Sequence, residues 1–384
     1  MKRLLTTFES SSLNLNNRLV MAPMTRSKSP HHIPGKDVAS YYRRRAEGNV
    51  GLIITEGTIV GHKAGHGYPD VPNFYGKDSF AGWKHVLEEV HAAGGKIFPQ
   101  LWHVGSVRQS QAWHHNQGAD NPQKQCCLEK VVPGYAPSAI PHPYVENAEI
   151  PHEMTSKDIS EVIAAFAQSA QDAQKLGFDG VELHGAHGYL IDQFFWSYTN
   201  QRTDRYGGKT LAERTRFAVE LIEAVRSAVG PDFPIDLRFS QWKLGDYEAK
   251  LAHSPQELET FLLPLANAGV NIFHCSTRKF WEPEFPGSHL NLAGWTKKIT
   301  GLPTITVGSV GLDKDFVSTM KDNRQPHQTQ SKLEELIRRF ENDEYDLIAV
   351  GRALLADPHW FQKMVKGKTQ EIVPFSAHSL TTLF

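Results

Sequence analysis

The sequence predicts an α/β protein built as one (β/α)8 barrel of the TIM type over residues 1–384, and three observations predict it. Eight short apolar runs with strand character alternate with amphipathic stretches from one end to the other. Alternation of that kind builds a parallel sheet, and eight repeats are enough to close it. No G-x-G-x-x-G follows the first run, which argues against an open dinucleotide-binding sheet. Finally, several runs empty into polar or glycine-containing turns, the places where parallel α/β folds keep their chemistry.

The predicted strands are Arg18–Met21, Val50–Thr55, Lys96–Trp102, Gly180–His184, Pro234–Phe239, Asn271–Cys275, Thr304–Val307 and Leu347–Val350. The clearest helices between them are Ser156–Leu176, Leu211–Val229, Pro255–Ala268 and Lys332–Phe340. Thr155 or Ser156 supplies one N-cap, and Ser254 precedes Pro255 at the favoured first helical position. Gly177, Gly230 and Gly269 stop three of these helices. A Pro-, Gln-, His- and Asn-rich excursion, Gly105–Met154, follows the third strand. It is too long for a passive connection and is expected to fold over the barrel mouth as a hairpin or cap. A polar insert, Asp322–Gln330, follows the seventh strand and is expected at the surface.

Hydrophobic residues make up 40% of the chain and aromatic residues 10%, enough for a sizeable core. A net charge of −1 gives no field that would gather nucleic acid or anionic lipid. Three cysteines cannot build a disulfide framework or a four-cysteine iron–sulfur site. The first residues lack a hydrophobic signal core, and no apolar run is long enough to span a bilayer. The expectation is a cytoplasmic monomer or homodimer that acts on a small molecule.

The predicted strand ends form one set. The fourth strand runs into His184-Gly-Ala-His-Gly-Tyr-Leu-Ile191. Imidazoles three residues apart can aim donors at one oxygen, and the phenol of Tyr189 can deliver a proton beside it. That would suit a carbonyl compound about to accept electrons. A satisfied structural turn and a metal-binding histidine pair compete with this reading, although no further ligand follows at a zinc-like spacing. Glu182 on the same strand reads as an internal ion-pair partner. Gly308, Ser309 and Gly351 lie in turns after strands seven and eight, where backbone N–H groups can approach a phosphate, and Arg352 adds a charged fork. Arg238 inside the fifth strand is costly unless it neutralises Glu182 or Asp236 or serves an anionic ring atom. Gln100 offers a donor and an acceptor, as the edge of a heterocycle requires. Together these features point to FMN facing a carbonyl substrate. Lys243 reads as too far from a strand core to serve as a Schiff-base lysine.

The series Asn17-Arg-Leu-Val-Met-Ala-Pro-Met-Thr-Arg26, Gly51-Leu-Ile-Ile-Thr-Glu-Gly57, Gln100-Leu-Trp-His103, His184-Gly-Ala-His-Gly-Tyr-Leu190, Asn200-Gln-Arg-Thr-Asp-Arg-Tyr-Gly-Gly208, Asp236-Leu-Arg238 and Gly351-Arg352, in this order, resembles the old yellow enzyme family of FMN-dependent ene-reductases. The resemblance implies tightly bound, non-covalent FMN lined by Pro23, Met24, Thr25, Gly57, Gln100, Arg238, Gly308, Ser309, Gly351 and Arg352. Thr25 would place the chain in the family's Thr-type branch. His184 and His187 would grip the carbonyl oxygen of an α,β-unsaturated substrate, Tyr189 would donate the proton, and Trp102 would wall the pocket. NADPH or NADH would be a transient reductant in a ping-pong cycle. Phe280 and Trp281, in the loop after strand six, are expected at the pocket rim or in a packed structural loop. A flavin-binding redox or sensor protein without turnover, and an FMN reductase of nitro compounds or nitrate esters, stand as alternatives.

Overall fold

A computed structural model describes residues 2–110, 132–312 and 330–384. Its centre is a closed, all-parallel barrel of eight strands, β1 Leu19–Met21, β2 Leu52–Ile59, β3 Lys96–Trp102, β4 Val181–His187, β5 Ile235–Lys243, β6 Ile272–Ser276, β7 Thr304–Val307 and β8 Leu347–Val350. Each strand pairs with its sequence neighbours, and β8 closes on β1 through Ile348, Ala349 and Val350 against Leu19, Val20 and Met21. All eight predicted strands are present. Four run past their expected ends, β2 to Ile59, β4 to His187, β5 to Lys243 and β6 to Ser276.

Helices cover the outside. Ser156–Leu176 and Pro255–Ala268 fall where the capping signals put them. Thr155 closes a capping box with Asp158, and Gly177 ends the helix in the left-handed conformation, φ 98°. The predicted Leu211–Val229 is two helices, Leu211–Arg214 and Arg216–Val229. Arg214 turns inward there and donates to the carbonyls of Phe195, Gly208 and Lys209. Lys36–Glu47, Lys77–Ala92 and Leu292–Thr300 complete the main outer ring with Gln330–Glu341.

Side chains alternate across each strand, so every second residue faces the barrel axis. The inward set is chemically two-sided. Val20, Ala22, Leu52, Ile54, Phe98, Ile272, Ile305, Leu347 and Ala349 form a separate apolar cluster. On the other side, β3 to β6 carry Gln100, Glu182, His184, Asp236, Arg238, His274 and Ser276, all buried. The apolar cluster also takes in Phe8, Leu13 and Leu15, from an antiparallel pair, Phe8–Glu9 with Asn14–Leu15, that packs against the interior residues. No sequence pattern marked that pair, because two-residue strands are too short to show a period.

The described parts of the Gly105–Met154 excursion form a short parallel pair, Tyr135–Ala136 with His152–Glu153, where a hairpin would be antiparallel. His142 packs on Gly188 and Trp196, and Val145 joins the cluster around Tyr189, so the excursion leans on the turn after β4. Trp113, His114, His115, Cys126 and Cys127 lie outside the described residues, as does most of the Asp322–Gln330 insert. Among the described residues no helix is long and apolar enough to cross a membrane.

Burial fixes the acid response of the fold. It holds His142 down to about 4 and His184 to about 3, and pushes His66 and His103 well below the usual histidine value. The unfolded chain therefore takes up protons below about pH 6.5 that the folded chain refuses, so the stability these groups contribute is full above that pH and lost as pH falls. Glu56, pushed up to about 7 by burial, has the opposite sign, as do Asp192 and Asp236, which burial also raises: their contributions are lost as pH rises. The buried histidines outnumber these acids. Urea midpoints measured across this range should drop steadily from about pH 6.5 towards 4, and an unchanged midpoint would contradict the neutral, buried imidazoles.

Candidate active site

β4 enters the mouth through Glu182 and His184 on its inner face, and the chain then turns sharply. His187 (φ 64°) and Gly188 (φ 81°) are both left-handed. For histidine that conformation is strained, at a cost of about 1–3 kcal/mol, so the surroundings must hold it. Three bonds do. The His187 amide donates to Ser240 Oγ at 3.0 Å, and its Nε2 lies 2.8 Å from Ser276 Oγ. The Gly188 amide donates to Asp192 Oδ2 at 2.6 Å. The other carboxylate oxygen of Asp192 accepts from Lys243 Nζ at 2.6 Å, and both side chains of this ion pair are fully buried. Lys243 is thus the last residue of β5, and its ammonium is spent on anchoring the turn. The expectation that it lies remote from the strand core is corrected: β5 continues beyond its apolar run, and the partner on Asp192 makes the burial possible.

This turn brings the predicted trio together. The His184 and His187 rings meet edge to face at 5.3 Å, and the Tyr189 ring is 5.1 Å from His184. Trp102 stacks on His184 at 5.7 Å and meets Tyr189 edge-on at 4.8 Å. Gly57 permits this wall, since a Cβ there would stand 2.3 Å from the Trp102 ring. Burial first, then the Arg238 charge, lowers both histidines, so both are neutral imidazoles at neutral pH. Burial raises Tyr189 well above the usual phenol value, and the phenol keeps its proton. Its hydroxyl pairs with Tyr68 at 2.9 Å.

A cavity of about 340 Å³ opens beside the trio, within the size range of small-molecule pockets, about 300–1,000 Å³. Pro23 and Met24 from the β1 end, Arg238 from β5 and His187 from the turn form one part of its lining. At another part Gly308, Ser309, Gly351 and Arg352 come together, with Arg352 Nη2 3.3 Å from Ser309 Oγ. A side chain at Gly308 (φ 143°) would collide with Thr277 at 2.6 Å, so glycine lets this edge pack directly against the loop after β6. Buried atoms without partners, Arg238 Nε and His184 Nδ1, also await a polar ligand. A flat heterocycle carrying a phosphate suits this donor set, and FMN is such a group.

Other predicted residues stand elsewhere. Gln100, Gly57, Trp102, His184 and Tyr189 are not in the lining of that cavity, and Gln100 Nε2 donates to Glu182 at 2.6 Å. Thr25 is exposed at the end of the segment after β1. Phe280 is buried in the core with Trp281 edge-on at 5.2 Å, and neither lines the cavity. The rim position expected of them is taken by Ser276, Thr277 and Arg278, with Trp242 and Tyr247. Trp242 stacks on His187 at 4.0 Å, and Arg278 lies 3.9 Å over Tyr247. A Trp next to Lys243 and a Tyr in a polar loop carried no recognisable period, and Tyr68 sits in a loop with no motif around it.

By fold and mouth this is a (β/α)8 barrel with its cavity at the C-terminal ends of its strands, where such barrels keep their sites. The sequence pattern of the NADH:flavin oxidoreductase / NADH oxidase family matches residues 4–371, and the chain belongs to that family, the family of the old yellow enzymes. It is 36% identical to 12-oxophytodienoate reductase 2 of Arabidopsis thaliana over 278 residues, covering 71% of this chain and 69% of that protein. It is 34% identical to the NADH oxidase of Thermoanaerobacter brockii over 370 residues, 94% of this chain but about half (50%) of the oxidase. The structure of morphinone reductase in complex with tetrahydroNAD superposes with a TM-score of 0.76 at 28% identity, over 98% of this chain and 93% of the other.

The buried ion pair sets a measurable cost. Lys243→Met would leave Asp192 charged and unpaired, and removing one partner of a buried pair typically costs about 3–5 kcal/mol. Chemical denaturation should show a loss of that size, with part of it recovered when Asp192→Asn is added. A loss below about 1 kcal/mol would mean the pair is not a dry one.

Proposed function

We propose that this protein is an FMN-dependent ene-reductase that uses NADPH or NADH to reduce the activated C=C bond of an α,β-unsaturated carbonyl compound. The observation that carries the reading is the contact of His184, His187 and Tyr189 at the mouth, next to a cavity that ends in an anion-friendly edge. Gly308, Ser309, Gly351 and Arg352 would hold the phosphate of FMN. Arg238 and Gln100 would face its pyrimidine edge, and Pro23, Met24, Thr25 and Gly57 would lie along the ring. Held there, FMN would supply the hydride chemistry that links the nicotinamide to the β-carbon of the alkene.

The protein's own residues do the rest. His184 and His187 donate from neutral N–H groups to the substrate's carbonyl oxygen, where negative charge grows as the β-carbon is reduced. A donor aimed at such an oxyanion is typically worth about 3 kcal/mol. Trp102 and Trp242 brace the two imidazoles from the side. Tyr189 delivers its proton to the α-carbon, a general-acid step worth about 10²–10⁴-fold. Tyr68, bonded to the Tyr189 hydroxyl, gives the phenol a route to recover its proton. The reductant and the alkene take turns in the same space, which gives ping-pong kinetics.

Purified protein should carry a yellow chromophore, and titration with a phenol should add a long-wavelength charge-transfer band as the histidines hold the phenolate. Colourless protein that cannot be reconstituted with FMN would end this reading. Tyr189→Phe separates the half-reactions. Stopped-flow absorbance should show flavin reduction by the nicotinamide unchanged and reoxidation by an enone slowed about 10²-fold or more; equal slowing of both would remove Tyr189 from the proton-donor role.

A further inference from the structure

Below the mouth, on the polar side of the barrel, a group of buried ionisable side chains takes no part in the steps above. Glu182 on β4, Asp236 on β5 and His274 on β6 bring side-chain polar atoms within 4.8 Å of one another, all fully buried. Glu182 Oε1 accepts from Gln100 Nε2 at 2.6 Å, and Glu182 Oε2 lies 2.5 Å from His274 Nδ1. Arg238, next along β5 on the same face, adds the positive charge. Of the other titratable groups around them, His184 on β4 is neutral, and the Cys275 thiol on β6 is pushed up by burial.

The distribution of protons follows from counting partners. Both oxygens of Asp236 are buried and make no close hydrogen bond, with the backbone amide of His274 as the donor in reach, and His274 Nε2 is buried with no partner. If Asp236 were ionised, its carboxylate would lie in the barrel beside the Glu182 charge with little more than that amide to satisfy it, at a cost of several kcal/mol. If His274 were an imidazolium to balance it, a second N–H would be buried without an acceptor. Both defects vanish when the proton sits on Asp236. Its carboxyl group lies within hydrogen-bonding reach of Glu182, and a protonated acid becomes a donor. Glu182 then accepts from Gln100, His274 and Asp236, and its single charge offsets Arg238. Two carboxyls this close in an apolar barrel share one proton for the same reason that a catalytic carboxyl dyad does. Burial and the neighbouring Glu182 charge push Asp236 well above the carboxylate range, in the same direction. A divalent cation would have to sit beside the Arg238 guanidinium and displace the Gln100 bond, so the cluster is a poor metal site.

We propose that Asp236 is a resident neutral acid that keeps its proton and donates a hydrogen bond to Glu182, and that the two act as positioning residues, holding one negative charge behind Gln100 and Arg238 and thereby setting the reduction potential of a flavin bound over them. The proposal rests on the FMN reading above. With its NH₂ committed to Glu182, Gln100 keeps its carbonyl oxygen for a ring N–H. Arg238, half-compensated by Glu182, offers less positive charge to a cofactor that becomes negative on reduction.

Two substitutions separate the parts. Glu182→Gln removes the buried charge and should raise the potential of bound FMN, by about tenfold or more in the two-electron equilibrium, about 30 mV. Asp236→Asn replaces a neutral donor with a neutral donor and should leave it within about threefold, about 15 mV. An Asp236→Asn shift as large as that of Glu182→Gln would mean that Asp236 is ionised, and no shift in either would mean that the flavin does not sense the pair; each overturns the proposal. Infrared spectra of the flavin-free protein at about pH 8, far above the ordinary aspartate value of about 3.9, supply a second readout. A protonated-carboxyl C=O band that moves in D₂O and is absent in Asp236→Asn is expected, and its absence from the wild type overturns the proposal. If Asp236→Asn does not fold, ¹³C-aspartate labelling of the wild type assigns the band. Because this arm needs no flavin, a protein that failed to bind FMN would defeat the functional reading while still reporting the state of Asp236.

Discussion

The rest of the structure depends on how the barrel accommodates charge. Part of its interior is filled with apolar side chains that need nothing but space, mostly from β1, β2, β7 and β8 with Phe98 of β3 and Ile272 of β6. Further along β3 to β6 the same interior holds acids, an arginine and histidines, all buried. Isolated charges there would cost more than the fold can supply, since net stability is only about 5–15 kcal/mol. The acids among them are met by partners from other strands, Glu182 by Gln100 of β3 and His274 of β6, and Asp192 by Lys243 of β5. The curvature of the barrel is what lets β4 and β6 meet across its interior, so the polar cluster exists only in the folded ring.

The site inherits its geometry from the same partners. The left-handed pair His187–Gly188 would relax without its anchors, and the shortest of these is the hydrogen bond that the Gly188 amide donates to Asp192, an aspartate itself fixed by a lysine of the next strand. An ion pair is a strong choice for this task because it leaves neither the loop nor the strand end free to slide. The imidazoles are then kept neutral by burial and by nearby positive charge, Arg238 above all. Neutral histidine donates one N–H and attracts no counter-anion, so the pair can greet a carbonyl oxygen without binding every passing carboxylate.

Much of the barrel was legible because strand and helix periods are properties of local sequence. All eight strands and the helices Ser156–Leu176 and Pro255–Ala268 follow from apolar runs, caps and glycine stops. The strand ends were read short for a physical reason: an apolar run stops where the interior turns polar, whereas pairing continues to Lys243 and Ser276. The histidine–tyrosine turn and the glycine-bearing edge were legible because each carries its chemistry within a few consecutive residues. Tyr68, Trp242 and Tyr247 were not, since their role comes only from the neighbours they meet. Phe280 and Trp281 left two readings open, pocket rim or packed loop, and the packed loop is the one found. Aromatic residues in a loop after a barrel strand can as easily seal the core as face a ligand, and here the backbone turns Phe280 inward while Ser276–Arg278 reaches the rim.

The division inside the barrel also separates what can vary from what cannot. The residues proposed to hold a carbonyl oxygen are bound into the ion-pair and hydrogen-bond lattice of β3 to β6, so changing them disturbs the fold as well as the chemistry. The rim is different. Arg278 and Tyr247 lean on Trp242 and so on His187, and they come from loops that owe little to the barrel's closure. Substitutions there alter the shape and charge that an incoming molecule meets while leaving the anchored imidazoles where they are. For the proposed reaction, selectivity among alkenes is thus expected to reside in the loops after β5 and β6, and the ability to reduce them in the strands beneath.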